Sequence, residues 1–139
     1  MKSKNFTTSL LLLLMGLSIG FTSCKKDTST TPKPDLFSGI YQITGSQVSI
    51  SIAFETYTDG TLLVFKAAPN STLKTGSGTY TLTTANNTTI FQAQVTYKDE
   101  PGVIYLYKSF LLDGSDLSNG TFGISPSNTD GGIWAMTKQ

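Results

Sequence analysis

The sequence predicts an all-β domain: an antiparallel meander of about eight short strands closing as an up-and-down barrel, with a β-sandwich as the alternative. Three observations carry this. Apolar residues alternate in period two through most of the chain after Leu36, turn residues return at short intervals, and no window shows a helical period. β-Branched and aromatic residues dominate the apolar runs, as they do in strands. Closure of the meander removes the edge strands that would otherwise pair with other chains.

Ahead of this domain, residues 1–23 read as an export signal. Lys2 and Lys4 give a positive start, and Leu10 to Phe21 form an apolar run of 12 residues. A helix needs roughly 20 residues to cross a hydrocarbon core of ~30 Å, so this run has the length of a signal-peptide core. It is followed by Ser23 and then Cys24, the single cysteine of the chain. Small residue, Cys24 and then Lys25-Lys26-Asp27 resemble the lipobox of bacterial lipoproteins of the Bacteroidota type. The resemblance implies cleavage before Cys24 and acylation of Cys24 with chains such as palmitate. It also implies attachment to a membrane through that N-terminal lipid. Two or three acyl chains hold a protein durably at ~0.8 kcal/mol per buried CH₂, whereas one holds it marginally. No second apolar run long enough to span follows, so the mature chain is expected on a membrane and not across it. In enteric lipoproteins an Asp directly after the Cys retains the protein in the inner membrane. Lys25 stands there, and the resemblance therefore implies the outer membrane, at its periplasmic face or at the cell surface. Residues 24–35 hold two prolines and a run of hydroxyl residues and read as a flexible tether, with the barrel domain over 36–139.

The strands follow in order. The first runs over Gly39–Thr44. In the second, Val48, Ile50, Ile52 and Phe54 point one way and Ser49, Ser51 and Ala53 the other. Asp59-Gly60 is a hairpin signal and leads into TLLVFKA at 61–67. GTYTLTT at 78–84 is expected to turn Tyr80 and Leu82 inward. Asn86-Asn87 reverses the chain into 89–97, where Phe91, Ala93, Val95 and Tyr97 alternate with Gln92, Gln94 and Thr96. The turn at 99–102 precedes a strand at 103–112. Two short strands, around Thr121–Ile124 and Ile133–Lys138, complete eight.

FSGIY at 37–41 resembles the opening of a lipocalin-type barrel, with Gly39-x-Tyr41 in place of Gly-x-Trp. GTFG at 120–123 followed by GGIWAMTK at 131–138 is similar to the closing hairpin of small lipocalin-like bacterial lipoproteins. Lipocalins usually pack an arginine from the last strands over that Trp. This chain has none, and Lys138 is the nearest cation in sequence.

Composition excludes several functions. The chain has no histidine, so it holds no Ser-His-Asp triad, no Cys-His pair and no imidazole metal site. With Cys24 acylated, thiolate chemistry is gone as well. Without Lys2 and Lys4, 8 lysines face 9 carboxylates and there is no arginine. A nucleic-acid-binding surface needs the opposite balance, so nucleic acid is not an expected partner. No cofactor and no metal are expected.

The remaining candidates are sparse. DGSDLSNG at 113–120 offers oxygens from Asp113, Asp116 and Asn119, but it lacks the alternating carboxylates and distal Glu of a calcium loop. It reads as a polar hairpin loop, and SNTDGG at 127–132, with Asp130 alone, reads likewise. Glu55, Asp59, Asp99 and Glu100 are the only acids placed for a glycosidase-like pair. Three of them fall in turns that the sequence places away from any pocket. The aromatic side chains are the richer set. Tyr105 and Tyr107 share one face of a strand and Ile104 and Leu106 the other, so one of the two pairs is core. Tyr105, Tyr107 and Trp134 are the candidate ligand contacts. The sequence is thus read as a non-catalytic, lipid-anchored binding module for a small apolar ligand or a glycan. The alternative is a structural lipoprotein with a filled barrel that docks to an envelope protein complex. An interior cavity of ~300 Å³ or more separates the first from the second.

Overall fold

The structure, a computed structural model, describes residues 32–139. The export signal, Cys24, Lys25–Asp27 and most of the tether lie outside the described residues. Eight antiparallel strands form a closed barrel in sequence order. They are β1 (Asp35–Ile43), β2 (Ser49–Thr56), β3 (Thr61–Ala67), β4 (Lys74–Ala85), β5 (Thr88–Tyr97), β6 (Tyr105–Leu112), β7 (Asp116–Ile124) and β8 (Gly132–Lys138). Each strand pairs with its neighbours in sequence, and β1 closes on β8 through Phe37↔Lys138 to Ile43↔Gly132. The up-and-down barrel is therefore the observed fold, and the sandwich is not.

The alternation explains why these segments pair. Ile50, Ile52 and Phe54 on β2, and Phe91, Ala93, Val95 and Tyr97 on β5, all face a common core, while Ser49, Ser51, Gln92 and Gln94 face out. A slip of one residue in any register would send every one of these side chains to the wrong face. The turns supply the reversals. Asn86 and Asn87 both take positive φ (50° and 61°), as do Asp113 and Gly114 (49° and 70°), which is the backbone of a two-residue hairpin with the twist that strands require.

Five expectations are corrected. β1 and β4 begin four residues earlier than their alternation shows. In β4 the reason is Gly76 and Gly78, which carry no hydropathy signal and lie against Val95, Tyr97 and the carbonyl of Gln94 with no room for a side chain. β7 begins at Asp116, so most of the 113–120 segment is strand and only its first residues turn. Leu117 and Gly120 point inward there, and a bulge between them breaks the period that would have marked a strand. Val48 precedes β2 and is about half exposed. Leu82 is also half exposed, because it lies near the tip of the β4–β5 hairpin, at the rim of one end of the barrel.

The middle of the barrel is filled by aromatic rings. Phe54 lies near-parallel to Phe91 at 5.7 Å and meets the edges of Tyr107 and Trp134, both at 5.4 Å. Such pairs add ~0.5–1.5 kcal/mol beyond burial. The Trp134 indole leans into the space that a side chain at Gly120 would occupy, and its Nε1 donates to the Thr121 carbonyl at 2.9 Å. Lys138 does not cover the Tyr41 ring, which stands at the Gly-x-Trp position; it pairs with Asp35 at 2.9 Å, across the β1–β8 seam, and the cation near Tyr41 is Lys66. The chain enters at Asp35 and leaves at Lys138 on one end of the barrel, which is plugged by side chains such as Phe37, Leu117 and Leu111.

Candidate functional site

The opposite end of the barrel is open. There the inward residues of the strand ends, together with the β3–β4, β5–β6 and β7–β8 connections, surround a cavity of about 450 Å³. Ile43, Ile50, Phe122 and Ile124 give it apolar wall, Tyr41 and Tyr105 give it ring surface, and Lys66, Lys74, Glu100 and Asp130 give it charge. The volume falls within the ~300–1,000 Å³ typical of small-molecule sites.

Lys66 is the least expected of these residues. On β3 the inward positions are Leu62, Val64 and Lys66, and the first two are fully buried. The ammonium lies 3.7 Å from the centroid of the Tyr97 ring, 5.0 Å from that of Tyr105 and 5.8 Å from that of Tyr41. These distances are within cation–π range. Desolvation holds the Lys66 pKa below its ordinary value, and the charge of Glu100 opposes that shift.

Beneath Lys66, the Tyr97 and Tyr107 hydroxyls share a buried hydrogen bond of 2.6 Å. Burial pushes both phenols well above their ordinary pKa, and their mutual proximity raises Tyr97 further. At the rim, Tyr105 donates its hydroxyl to Glu100 Oε2. Burial and that bond push the Tyr105 phenol up to about 12. Lys74 reaches both Asp99 (2.5 Å) and Glu100 (3.0 Å). Glu100 is accordingly held below its usual value, first by the Tyr105 hydroxyl and then by Lys74.

The candidate ligand contacts thus separate. Tyr105 lines the cavity, Tyr107 lies one level below it in the packed floor, and Trp134 is in the middle of the core. Glu100 is corrected. The 99–102 turn folds over the mouth, so its carboxylate is on the cavity wall and not away from a pocket. Asp59 binds the Thr61 amide and hydroxyl within its own turn at the plugged end, and Glu55 accepts from Tyr57. Asp99 and Glu100 share one lysine and do not flank a space from two sides. Among the described residues, no three acidic, Cys or His side chains gather to hold a metal. Lys66, Tyr41 and Tyr97 were missed by sequence reasoning. The signal was present for Lys66, since the alternation that turns Leu62 and Val64 inward also turns residue 66 inward.

The chain matches no protein-family model, no curated protein and no solved structure.

Proposed function

We propose that the chain is a non-catalytic binding module, anchored to a membrane by lipid on Cys24, which holds a small ligand with an apolar body in the mouth of the barrel. One observation carries the reading: the barrel is packed over most of its length yet leaves a cavity of about 450 Å³ at one end. A barrel selected only for a filled core would close that end with the large side chains that plug the other. The position of the mouth is consistent with anchoring, because the chain enters β1 at the plugged end and the mouth lies at the far one.

A cavity-filling change tests the binding. Ala68 lines the mouth and is partly buried, so Ala68→Trp places an indole inside it. Native mass spectrometry of the protein after exposure to a cell extract is expected to show a small-molecule adduct that the Ala68→Trp protein lacks. An unliganded wild type, or the same adduct on both, would overturn the reading. Anchoring is tested separately. Cys24→Ser is expected to free the protein from membranes or leave the signal uncut; a correctly processed variant that stays on the membrane rules out the lipid.

The second reading is a docking lipoprotein. It rests on Ile40 and Ile133, which are 57% and 62% exposed on the outer face of the β1–β8 seam. They border a shallow groove of about 340 Å³ with Ala135 and Thr121.

A further inference from the structure

The occupant of the mouth is marked by the state of Lys66. Its ammonium carries three donors. Among the described residues no carboxylate lies within ion-pair distance of it, and no carbonyl or hydroxyl accepts from it. Asp99 and Glu100, the nearest acids by charge effect, are both engaged by Lys74. The rings of Tyr97, Tyr105 and Tyr41 lie around the ammonium, and Lys66 lines the cavity. Lys66 is only partly buried, and the cavity leaves its donors open to solvent. Any ligand that fills the cup shuts the ammonium off from solvent and must supply hydrogen bonds in its place, or leave a charged group buried and unpaired.

This requirement sorts ligands by charge. A cation is repelled by Lys66, which already occupies the ring cage that would attract it, and the wall carboxylates that oppose this are Glu100, held by Lys74 and Tyr105, and Asp130 on the β7–β8 connection. A neutral apolar molecule gains wall contacts but strands the ammonium. A carboxylate offers two acceptor oxygens and the opposite charge. We propose that the mouth takes an amphipathic organic anion whose carboxylate accepts from Lys66 Nζ while its apolar body lies against Ile43, Ile50 and Phe122. The inference rests on the ligand-cup reading above and adds the chemical class of the ligand to it.

Three probes of one chain length test it: octanoate, octan-1-ol and octylammonium, each titrated by calorimetry into the full-length protein. Octanoate is expected to bind about tenfold tighter than either of the others, as one charged hydrogen bond contributes. In Lys66→Met, which keeps an unbranched side chain one atom shorter and removes its charge, that preference is expected to vanish while octan-1-ol binds at least as well as before. Lys66→Arg is expected to retain it. Equal or tighter binding of octan-1-ol by the wild-type protein, or an octanoate preference that survives Lys66→Met, overturns the anion and leaves the cup standing. Failure of all three probes to bind overturns both. The wild-type ranking alone decides the question if a variant does not fold.

Discussion

Replacing Phe54 with alanine is expected to destabilise the barrel by ~3–5 kcal/mol, the range for removing a large buried aromatic side chain. Phe54 is fully buried and touches the rings of Phe91, Tyr107 and Trp134, which come from β5, β6 and β8. Loss of that ring therefore weakens contacts between four strands at once. Relief by collapse is restricted, because both ladders of β2 are paired and the barrel has no free edge to move inward. The cavity left behind stays open and adds to the lost transfer energy. Against the ~5–15 kcal/mol of a typical domain, the change removes a large share of the stability. Urea unfolding is the measurement, with a midpoint that falls and a slope that is unchanged. Gln92→Ala, next to Phe91 but on the outer face, is expected to stay within ~0.5 kcal/mol. Equal losses in the two variants would mean that the inward and outward faces are misassigned.

The same division between faces decided what the sequence disclosed. β5 was legible residue by residue and β2 from Ser49 onward, because each alternates inward apolar side chains with small or polar ones, whereas Val48 extended the β2 pattern one position too far. The meander was legible from the short connections, which leave neighbouring strands no choice but to pair, but its closure was not, because the β1–β8 ladder joins the two ends of the domain and the sandwich stayed open as the alternative. β4 and the start of β7 were not. Their inward positions at Gly76, Gly78 and Gly120 hold no side chain, since the paired neighbouring strand fills the space with Val95 and Tyr97 at Gly76, with its backbone at Gly78 and with Trp134 at Gly120. An alternation search sees nothing where the partner strand supplies the volume. The cavity was legible only in part. Tyr105 was named from its strand face, but whether it lined a cup or a filled core depended on the side chains opposite. Glu100 was set aside as a turn residue, because sequence does not say which turns ring the open end. Lys66 was passed over, although it breaks the apolar alternation of β3 and such a local violation is where a functional position is expected.

Raising the pH above 10 is expected to unfold the barrel in a steep transition, driven by its buried phenols. Tyr41, Tyr97, Tyr105 and Tyr107 all hold their protons above the ordinary value of 10.0, chiefly because burial disfavours the phenolate. The sign follows from proton counting. Below pH 10 the phenols are protonated in both states and contribute no pH dependence. Above it the unfolded chain loses protons that the folded chain keeps, so the unfolded state binds fewer and stability falls as pH rises. For Tyr105 this window runs from 10 to about 12, and for Tyr97 and Tyr107 it extends higher. Each unit of separation is ~1.36 kcal/mol once the pH exceeds both values. Lys66 acts in the opposite sense, because its folded pKa is depressed and stability from it rises towards its unfolded value of 10.5. That rise ends at about 10.5, at the start of the phenol window, so Lys66 does not reverse the trend. Thermal midpoints across this range, recorded with phenolate absorbance, provide the measurement. The buried phenols are expected to ionise only as the barrel unfolds. In the double variant Tyr97→Phe/Tyr107→Phe, which removes both members of the 2.6 Å pair together and strands neither hydroxyl, the alkaline slope is expected to flatten while stability at neutral pH is largely kept. Ionisation of all six tyrosines near pH 10 with the barrel still folded would show that these hydroxyls are open to solvent, and with it that the floor beneath Lys66 is not packed.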